Sequence, residues 1–255
     1  MQLTFENKTI DQLSIELIQA YEPAEGYYLG FSGGKDSVVI YDLAKRSGVK
    51  FQAYYNISPI DPPEIRAFIK ENYHDVIWEN HAQGFWTKHF LSHGLPMRTT
   101  RWCCQIIKEA GGKDRVKILG MRREESKKRS KYKCFTSETQ IKHRKTKKKQ
   151  IQQAISKGGT LLPILNWSTL DVWQYIAERK LETCILYKQG WTRIGCLLCP
   201  NAGKDEIKYT LEKYPAVVET YKHACERYYQ KRIERGNPIL NHKSGEEYFN
   251  WWIKR

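Results

Sequence analysis

Six consecutive residues carry the clearest chemical signal in the chain: Ser32-Gly33-Gly34-Lys35-Asp36-Ser37. They follow the apolar run Tyr27-Tyr28-Leu29-Gly30-Phe31 and precede the helical pattern Val38-Val39-Ile40-Tyr41-Asp42-Leu43-Ala44. A buried strand thus hands the chain to a turn, and the turn opens a helix. Paired glycines let backbone N–H groups approach an anion without interference from Cβ, and the helix N-terminus adds its positive dipole. Lys35 brings a mobile charge, Ser32 and Ser37 bring hydroxyls, and Asp36 brings a carboxylate able to help hold a metal ion. The Walker A loop needs four residues between its first glycine and its Gly-Lys pair. That spacing is absent here, so the loop points to a different nucleotide chemistry.

Two further constellations stand out. Gly120-Met121-Arg122-Arg123-Glu124-Glu125-Ser126, with Arg129, follows the strand-like run Arg115–Gly120. Guanidinium forks there suit phosphate oxygens, because two parallel donors match their geometry. Among seven cysteines, Cys103-Cys104 form one close pair and Cys196-Leu197-Leu198-Cys199 a second. Four soft sulfur ligands select zinc or an iron-sulfur cluster. Adjacent cysteines are awkward zinc ligands, which favours an iron-sulfur cluster over zinc. Cys134, Cys184 and Cys225 lack such partners and read as ordinary cysteines.

The elements that must position these groups follow from periodicity. Leu13, Ile15, Leu17 and Ile18 predict an early helix ending near Pro23 and Gly26. Strands are expected at Tyr27–Phe31, Phe51–Tyr55, Asp75–Trp78, Arg115–Gly120 and Leu161–Ile164, with a helix over Pro62–Tyr73. Such alternation predicts an α/β fold with a doubly wound, mostly parallel sheet whose ligands lie at the carboxyl ends of the strands. Ser168 and Asp171 form a capping-box variant that starts a helix through Val172 and Trp173, two residues expected to serve the core. Beyond Asp205 only helical patterns occur, and their aromatics, among them Tyr228, Tyr248, Phe249 and Trp252, read as a packed cap rather than a base-stacking surface. The expected organisation is a nucleotide-binding α/β domain over 1–200, carrying the four cysteines, and a helical extension over 201–255 packed on it.

With 255 residues and a formal net charge of +15, the chain favours an anionic partner. Much of the excess lies between Arg122 and Lys149, notably in Lys142-His143-Arg144-Lys145 and Lys147-Lys148-Lys149. This stretch reads either as a surface tracking a nucleic-acid backbone or as a solvated loop carrying charge for solubility. The beginning of the chain lacks the order of a signal peptide, and no apolar run approaches the roughly twenty residues of a membrane span. A cytoplasmic protein without a membrane partner is expected, and there cysteines are seldom disulfide-bonded.

Ser-Gly-Gly-Lys-Asp-Ser resembles the PP-loop of the ATP pyrophosphatases and of the 3′-phosphoadenylyl-sulfate (PAPS) reductase family. The segment from Gly120 to Ser126 is similar to that family's Gly-x-Arg-x-x-Glu-Ser. Pro163 to Trp173 and Leu186-Tyr187-Lys188-Gln189-Gly190-Trp191 continue the likeness. The cysteine quartet resembles the 4Fe-4S site of adenylyl-sulfate reductases and of PP-loop proteins that install sulfur in DNA. The resemblance implies an adenine nucleotide, ATP with Mg²⁺, as ligand. It implies phosphate binding by Ser32, Gly33, Gly34, Lys35, Asp36, Ser37, Arg122, Ser126 and Arg129, catalytic roles for Lys35, Asp36 and Arg122, and a cluster on Cys103, Cys104, Cys196 and Cys199.

One family feature is missing. Sulfonucleotide reductases carry a nucleophilic cysteine in a Glu-Cys-Gly-Leu/Ile-His tail, whereas this chain reads Tyr248-Phe249-Asn250-Trp251-Trp252-Ile253-Lys254-Arg255. An ATP pyrophosphatase that adenylates an acceptor for sulfur transfer is therefore the favoured expectation, close to the PAPS-reductase-like component of DNA phosphorothioation systems. Its acceptor would be DNA or tRNA, and its sulfur donor a partner such as a cysteine desulfurase. A sulfonucleotide reductase using Cys225 or another subunit's cysteine, and a nucleotide-gated nucleic-acid-binding module, are the alternatives.

Overall fold

The computed structural model describes residues 8–137, 155, 158–239 and 241–254. The basic runs at 142–145 and 147–149, and most of the opening residues, lie outside the described residues. The chain divides into two compact units, the first built from 1–56, 63–79 and 111–194, the second from 57–62, 80–110 and 195–255.

The first unit is organised by a six-stranded sheet: β1 (Tyr27–Gly30), β2 (Phe51–Asn56), β3 (Ile77–Glu79), β4 (Val116–Ile118), β5 (Phe135–Ser137) and β6 (Gly159–Leu161). The strand order is β3-β2-β1-β4-β6-β5. All neighbours are parallel except β5, which runs antiparallel to β6 at the edge. Central strands of a parallel sheet are buried on both faces and so read as continuous apolar runs. Tyr27, Leu29, Val116, Ile118 and Leu161 are all fully buried. The expected strand at Leu161–Ile164 ends at Leu161, because Leu162, Pro163 and Ile164 already turn away, with Leu162 N–H donating to the Cys134 carbonyl.

Helices α1 (Ile10–Ala20), α2 (Lys35–Ser47), α3 (Pro63–Asn72) and α4 (Thr169–Arg179) complete this unit. Ser168 and Asp171 cap α4 as the sequence predicts: Ser168 Oγ accepts from Asp171 N–H at 3.1 Å and Asp171 Oδ2 accepts from Ser168 N–H at 2.8 Å. Arg46 on α2 donates to Asp11 of α1 at 2.7 Å and to the Tyr175 hydroxyl of α4 at 2.9 Å. These bonds lock the three helices together.

The second unit is held by aromatic side chains. The helices α5 (Lys204–Lys213), α6 (Pro215–Glu234) and α7 (Gly245–Ile253), with the short helix Trp102–Ile107, gather Phe90, Trp102, Tyr221, Tyr228, Phe249 and Trp252 into one buried cluster. The indole N–H of Trp252 donates to the Pro96 carbonyl at 2.8 Å. The residues beyond 201 thus share their core with 57–62 and 80–110, and Cys103, Cys104, Cys196 and Cys199 fall in this unit, not with the sheet. The reason is packing: the aromatic faces of α6 and α7 are buried against the segment that carries Cys103. Among the described residues no helix is long and apolar enough to cross a membrane.

The strand order reverses between β1 and β4, and at such a switch point the loops leaving the carboxyl ends diverge to open a crevice. Gly120, just past β4, lies so close to the loop after β1 that a Cβ there would sit 2.9 Å from the backbone carbon and oxygen of Asp36. Gly120→Ala should therefore cost about 1–3 kcal/mol of stability through overpacking, read as a lowered midpoint in chemical denaturation with an unchanged m-value.

Candidate nucleotide site and cysteine centre

The loop after β1 turns through Gly33 at φ +70°, a left-handed conformation that L side chains rarely adopt. A Cβ on Gly33 would also press within 3.2 Å of the Ile69 side chain. Helix α2 then starts at Lys35. The Ser37 hydroxyl donates to the Gly34 carbonyl at 2.7 Å and lies 3.3 Å from Ser32 Oγ, which fixes the curl of the loop. Among the described residues, the backbone N–H groups of Ser32, Gly33, Gly34 and Asp36 donate to no protein acceptor. Four unpaired donors at a helix N-terminus form a ready anion cradle.

Charges around the cradle are balanced before any ligand arrives. Asp36 bridges two cations: Oδ2 lies 3.2 Å from Lys35 Nζ, and Oδ1 accepts from Arg122 Nε at 2.7 Å. Lys35 and Arg122 are both buried, so each needs that partner. Arg122 Nη1 is further engaged by Glu124 at 3.0 Å and by the Thr169 hydroxyl at 3.2 Å. Its Nη2 donates to no acceptor among the described residues, which leaves one guanidinium edge for a phosphate oxygen.

Of the residues singled out from the sequence, the structure brings together Ser32, Gly33, Gly34, Lys35, Asp36, Ser37 and Arg122. Ser126 and Arg129 are placed apart from the loop as far as hydrogen bonding goes. Arg129 N–H donates to Ser126 Oγ at 3.2 Å, and the Arg129 guanidinium pairs with Glu125. Sequence reasoning overlooked Tyr187 as a site residue. Its hydroxyl accepts from Lys35 N–H at 2.9 Å, and its ring lies 5.9 Å from Lys35 Nζ. Burial raises this hydroxyl well above the usual tyrosine range, so it stays protonated while it accepts. The only sequence clue was its place in the Leu186–Trp191 segment.

In the second unit the four cysteines are electrostatic neighbours. Cys103 donates its thiol proton toward Cys104, which raises Cys103 far above the ordinary thiol range and lowers Cys104 below it. Lys108 and Arg101 add to the lowering of Cys104. Burial pushes the Cys196 thiol up to about 12, opposed by the nearby Lys108 ammonium. Lys108 in turn is held above its usual range first by Cys196 and then by Asp61, Cys104 and Cys199, against a desolvation cost. Lys108 and Asp61 were missed in the sequence. Lys108 follows Cys104 by four residues, a helical spacing that hints at the contact, and its N–H donates to the Cys104 carbonyl at 2.8 Å. Leu198, at φ +53°, strains the Cys196–Cys199 loop. Among the described residues no group of three or more Cys, His, Asp or Glu side chains is drawn together tightly enough to hold a metal ion.

The family model described as the phosphoadenosine phosphosulfate reductase domain matches residues 26–202. The chain belongs to this family. An uncharacterized protein of Methanocaldococcus jannaschii is 29% identical over 240 residues, which cover 89% of this chain and 44% of that protein. The sulfate adenylyltransferase subunit 2 of Akkermansia muciniphila is 27% identical over 201 residues, covering 70% of this chain and 66% of the relative. A second uncharacterized M. jannaschii protein is matched over 49% of its length, so the chain spans about half the length of the two archaeal relatives. Among solved structures, the PAPS reductase of Candida auris in its phosphate complex superposes with a TM-score of 0.51 at 15% identity, covering 77% of this chain and 97% of that one. At that identity the likeness shows the fold alone.

Removing the Arg122 guanidinium leaves Asp36, the half-buried carboxylate that Arg122 shares with Lys35, short of a partner. Arg122→Ala is accordingly expected to lose about 3 kcal/mol of folding stability, measured by equilibrium denaturation. A loss below about 0.5 kcal/mol, the size usual for a surface substitution, would contradict the bridge.

Proposed function

We propose that this chain is a PP-loop enzyme that uses ATP to adenylate an acceptor for sulfur transfer, in nucleic-acid modification of DNA or tRNA. The observation that carries the reading is the set of unpaired amides at Ser32, Gly33, Gly34 and Asp36, with Lys35 beside them, at the switch point of the sheet. Those amides and Lys35 hold the β- and γ-phosphates, and the free edge of Arg122 meets charge developing on the α-phosphate. An acceptor oxygen forms a bond to the α-phosphorus as the bond to the pyrophosphate oxygen breaks. Asp36 would help to hold a Mg²⁺ ion, which would neutralise charge on the departing pyrophosphate. A sulfur nucleophile, supplied by a donor such as a cysteine desulfurase, then displaces AMP. The net charge of +15 supports an anionic macromolecular acceptor.

Cys103, Cys104, Cys196 and Cys199 match a 4Fe-4S cluster in donor type, four soft sulfurs with one already inclined to the thiolate beside the Lys108 cation, but among the described residues they are not drawn together closely enough to hold it as they stand. A buried hydroxyl without a partner, that of Tyr221, has three of these cysteines as neighbours. When bound, such a cluster supplies electrons or an iron atom able to carry sulfur. The chain's own part is to hold the four thiolates in an apolar, aromatic surround.

The family description favours a second reading, reduction of a sulfonucleotide to sulfite. Cys225 is poorly suited to be its nucleophile. It is fully buried in α6, and burial raises its thiol far from the thiolate form.

Incubation with ATP, Mg²⁺ and DNA or tRNA should release pyrophosphate and leave the acceptor adenylated, with free AMP rising to match pyrophosphate once a sulfur donor is added, as read by chromatography and a pyrophosphate assay. ADP and phosphate as the sole products would contradict adenylation, and sulfite formed from a sulfonucleotide and a thiol reductant would establish the second reading.

A further inference from the structure

One amide of the phosphate loop is already occupied. Among the described residues the N–H groups of Ser32, Gly33, Gly34 and Asp36 donate to no protein acceptor, whereas that of Lys35, the first residue of α2, donates to the Tyr187 hydroxyl at 2.9 Å. The exception falls in the middle of the row. Tyr187 ends a short 3₁₀ helix, Ile185–Tyr187, in the same unit as the loop but 152 positions away in sequence.

A hydroxyl that accepts from an amide still has a proton to give. Among the described residues the Tyr187 proton reaches no acceptor, since the hydroxyl's one hydrogen bond is the bond it accepts. Burial keeps that proton in place. The oxygen stands beside the loop: a Cβ on Gly34 would lie 3.5 Å from it and 3.5 Å from Ser32 Oγ, so two hydroxyls flank the same glycine. The ring is held edge-on against Trp173 at 5.0 Å, and Lys35 Nζ lies 5.9 Å from its centroid. A phenylalanine would keep both ring contacts and leave the Lys35 amide as open as its neighbours. What the hydroxyl adds is a donor one step farther out than the amide. Accepting from an N–H at a helix N-terminus polarises its own O–H bond and makes it a stronger donor.

We infer that the Tyr187 hydroxyl is a member of the phosphate cradle, relaying the hydrogen bond of the Lys35 amide to a phosphate oxygen of the bound nucleotide. The inference rests on the nucleotide-site reading above and deepens it, and it is the same whether the phosphates belong to ATP or to a sulfonucleotide. With the Lys35 amide donating into it, the hydroxyl turns its proton outward, toward an acceptor oxygen. This also gives the Leu186–Trp191 segment a part in the site: it delivers a rigid ring whose polar end completes the row of donors.

The test uses the full chain with inorganic pyrophosphate as the probe, as wild type and as Tyr187→Phe. Calorimetry should show about tenfold weaker binding by the variant, as expected for the loss of one hydrogen bond to a charged acceptor. In the variant the Lys35 amide, now open, should shift on pyrophosphate addition together with its neighbours in the loop. A second readout needs no variant: with ¹³Cζ-tyrosine placed at position 187, the resonance of the carbon bearing the hydroxyl should move with saturation. Should the variant fail to fold, that resonance decides. Binding by the variant as tight as wild type or tighter, or a Cζ resonance unmoved at saturation, would overturn the role of Tyr187 and leave the loop amides standing. Failure of wild type to bind pyrophosphate would overturn the nucleotide site and this inference with it.

Discussion

One shared carboxylate organises the nucleotide site. Asp36 accepts from Arg122 at 2.7 Å and pairs with Lys35 at 3.2 Å, so the loop after β1 and the segment after β4 are tied at the point where the strand order reverses. Two buried cations in one pocket would repel each other and carry a heavy desolvation cost without it. The close approach of Gly120 to the Asp36 backbone belongs to the same constraint. Because the carboxylate balances side-chain charge in advance, anion binding falls chiefly to the loop amides and the α2 N-terminus. Those donors are rigid, and they require no rearrangement when charge develops on a phosphate.

The second unit solves a different problem by different means. It surrounds thiols with rings, and it sets one thiol donating to its neighbour so that Cys104 inclines to the thiolate. Cations at Lys108 and Arg101 help, and the strained Leu198 sharpens the bend between Cys196 and Cys199. In the proposed reading, backbone amides bind hard oxygen anions in one unit, while the four thiols lie in the other. Each unit's chemistry follows from what its elements can present: a parallel sheet offers loop amides at its carboxyl edge, and an aromatic helical core offers a dry pocket for sulfur.

Much of this was legible from sequence because the signals are local. The apolar run, the paired glycines and the helical period around residues 27–44 fix the loop without tertiary information, and the capping pair Ser168 and Asp171 fixes the start of α4. The three-residue edge strand β5 escaped notice, since Phe135–Ser137 is too short to show an alternation. Leu161–Ile164 looked like a strand because its residues are apolar, yet Leu162 and Ile164 are buried in a turn. The partners that complete the sites were illegible for a simple reason. Tyr187 reaches Lys35 across 152 positions, and the neighbours of Tyr221 are defined by folding alone. Likewise the cysteines share a unit with the C-terminal helices because of aromatic packing that no spacing reveals.

The central claim is that backbone amides of the loop, more than side-chain charge, grip the phosphates. The most direct measurement is an amide ¹H–¹⁵N spectrum of the chain titrated with inorganic pyrophosphate. The account predicts saturable downfield proton shifts at Gly33, Gly34 and Asp36, as expected of N–H groups that gain an anionic acceptor. Pyrophosphate that binds while those three amides stay unmoved would contradict it.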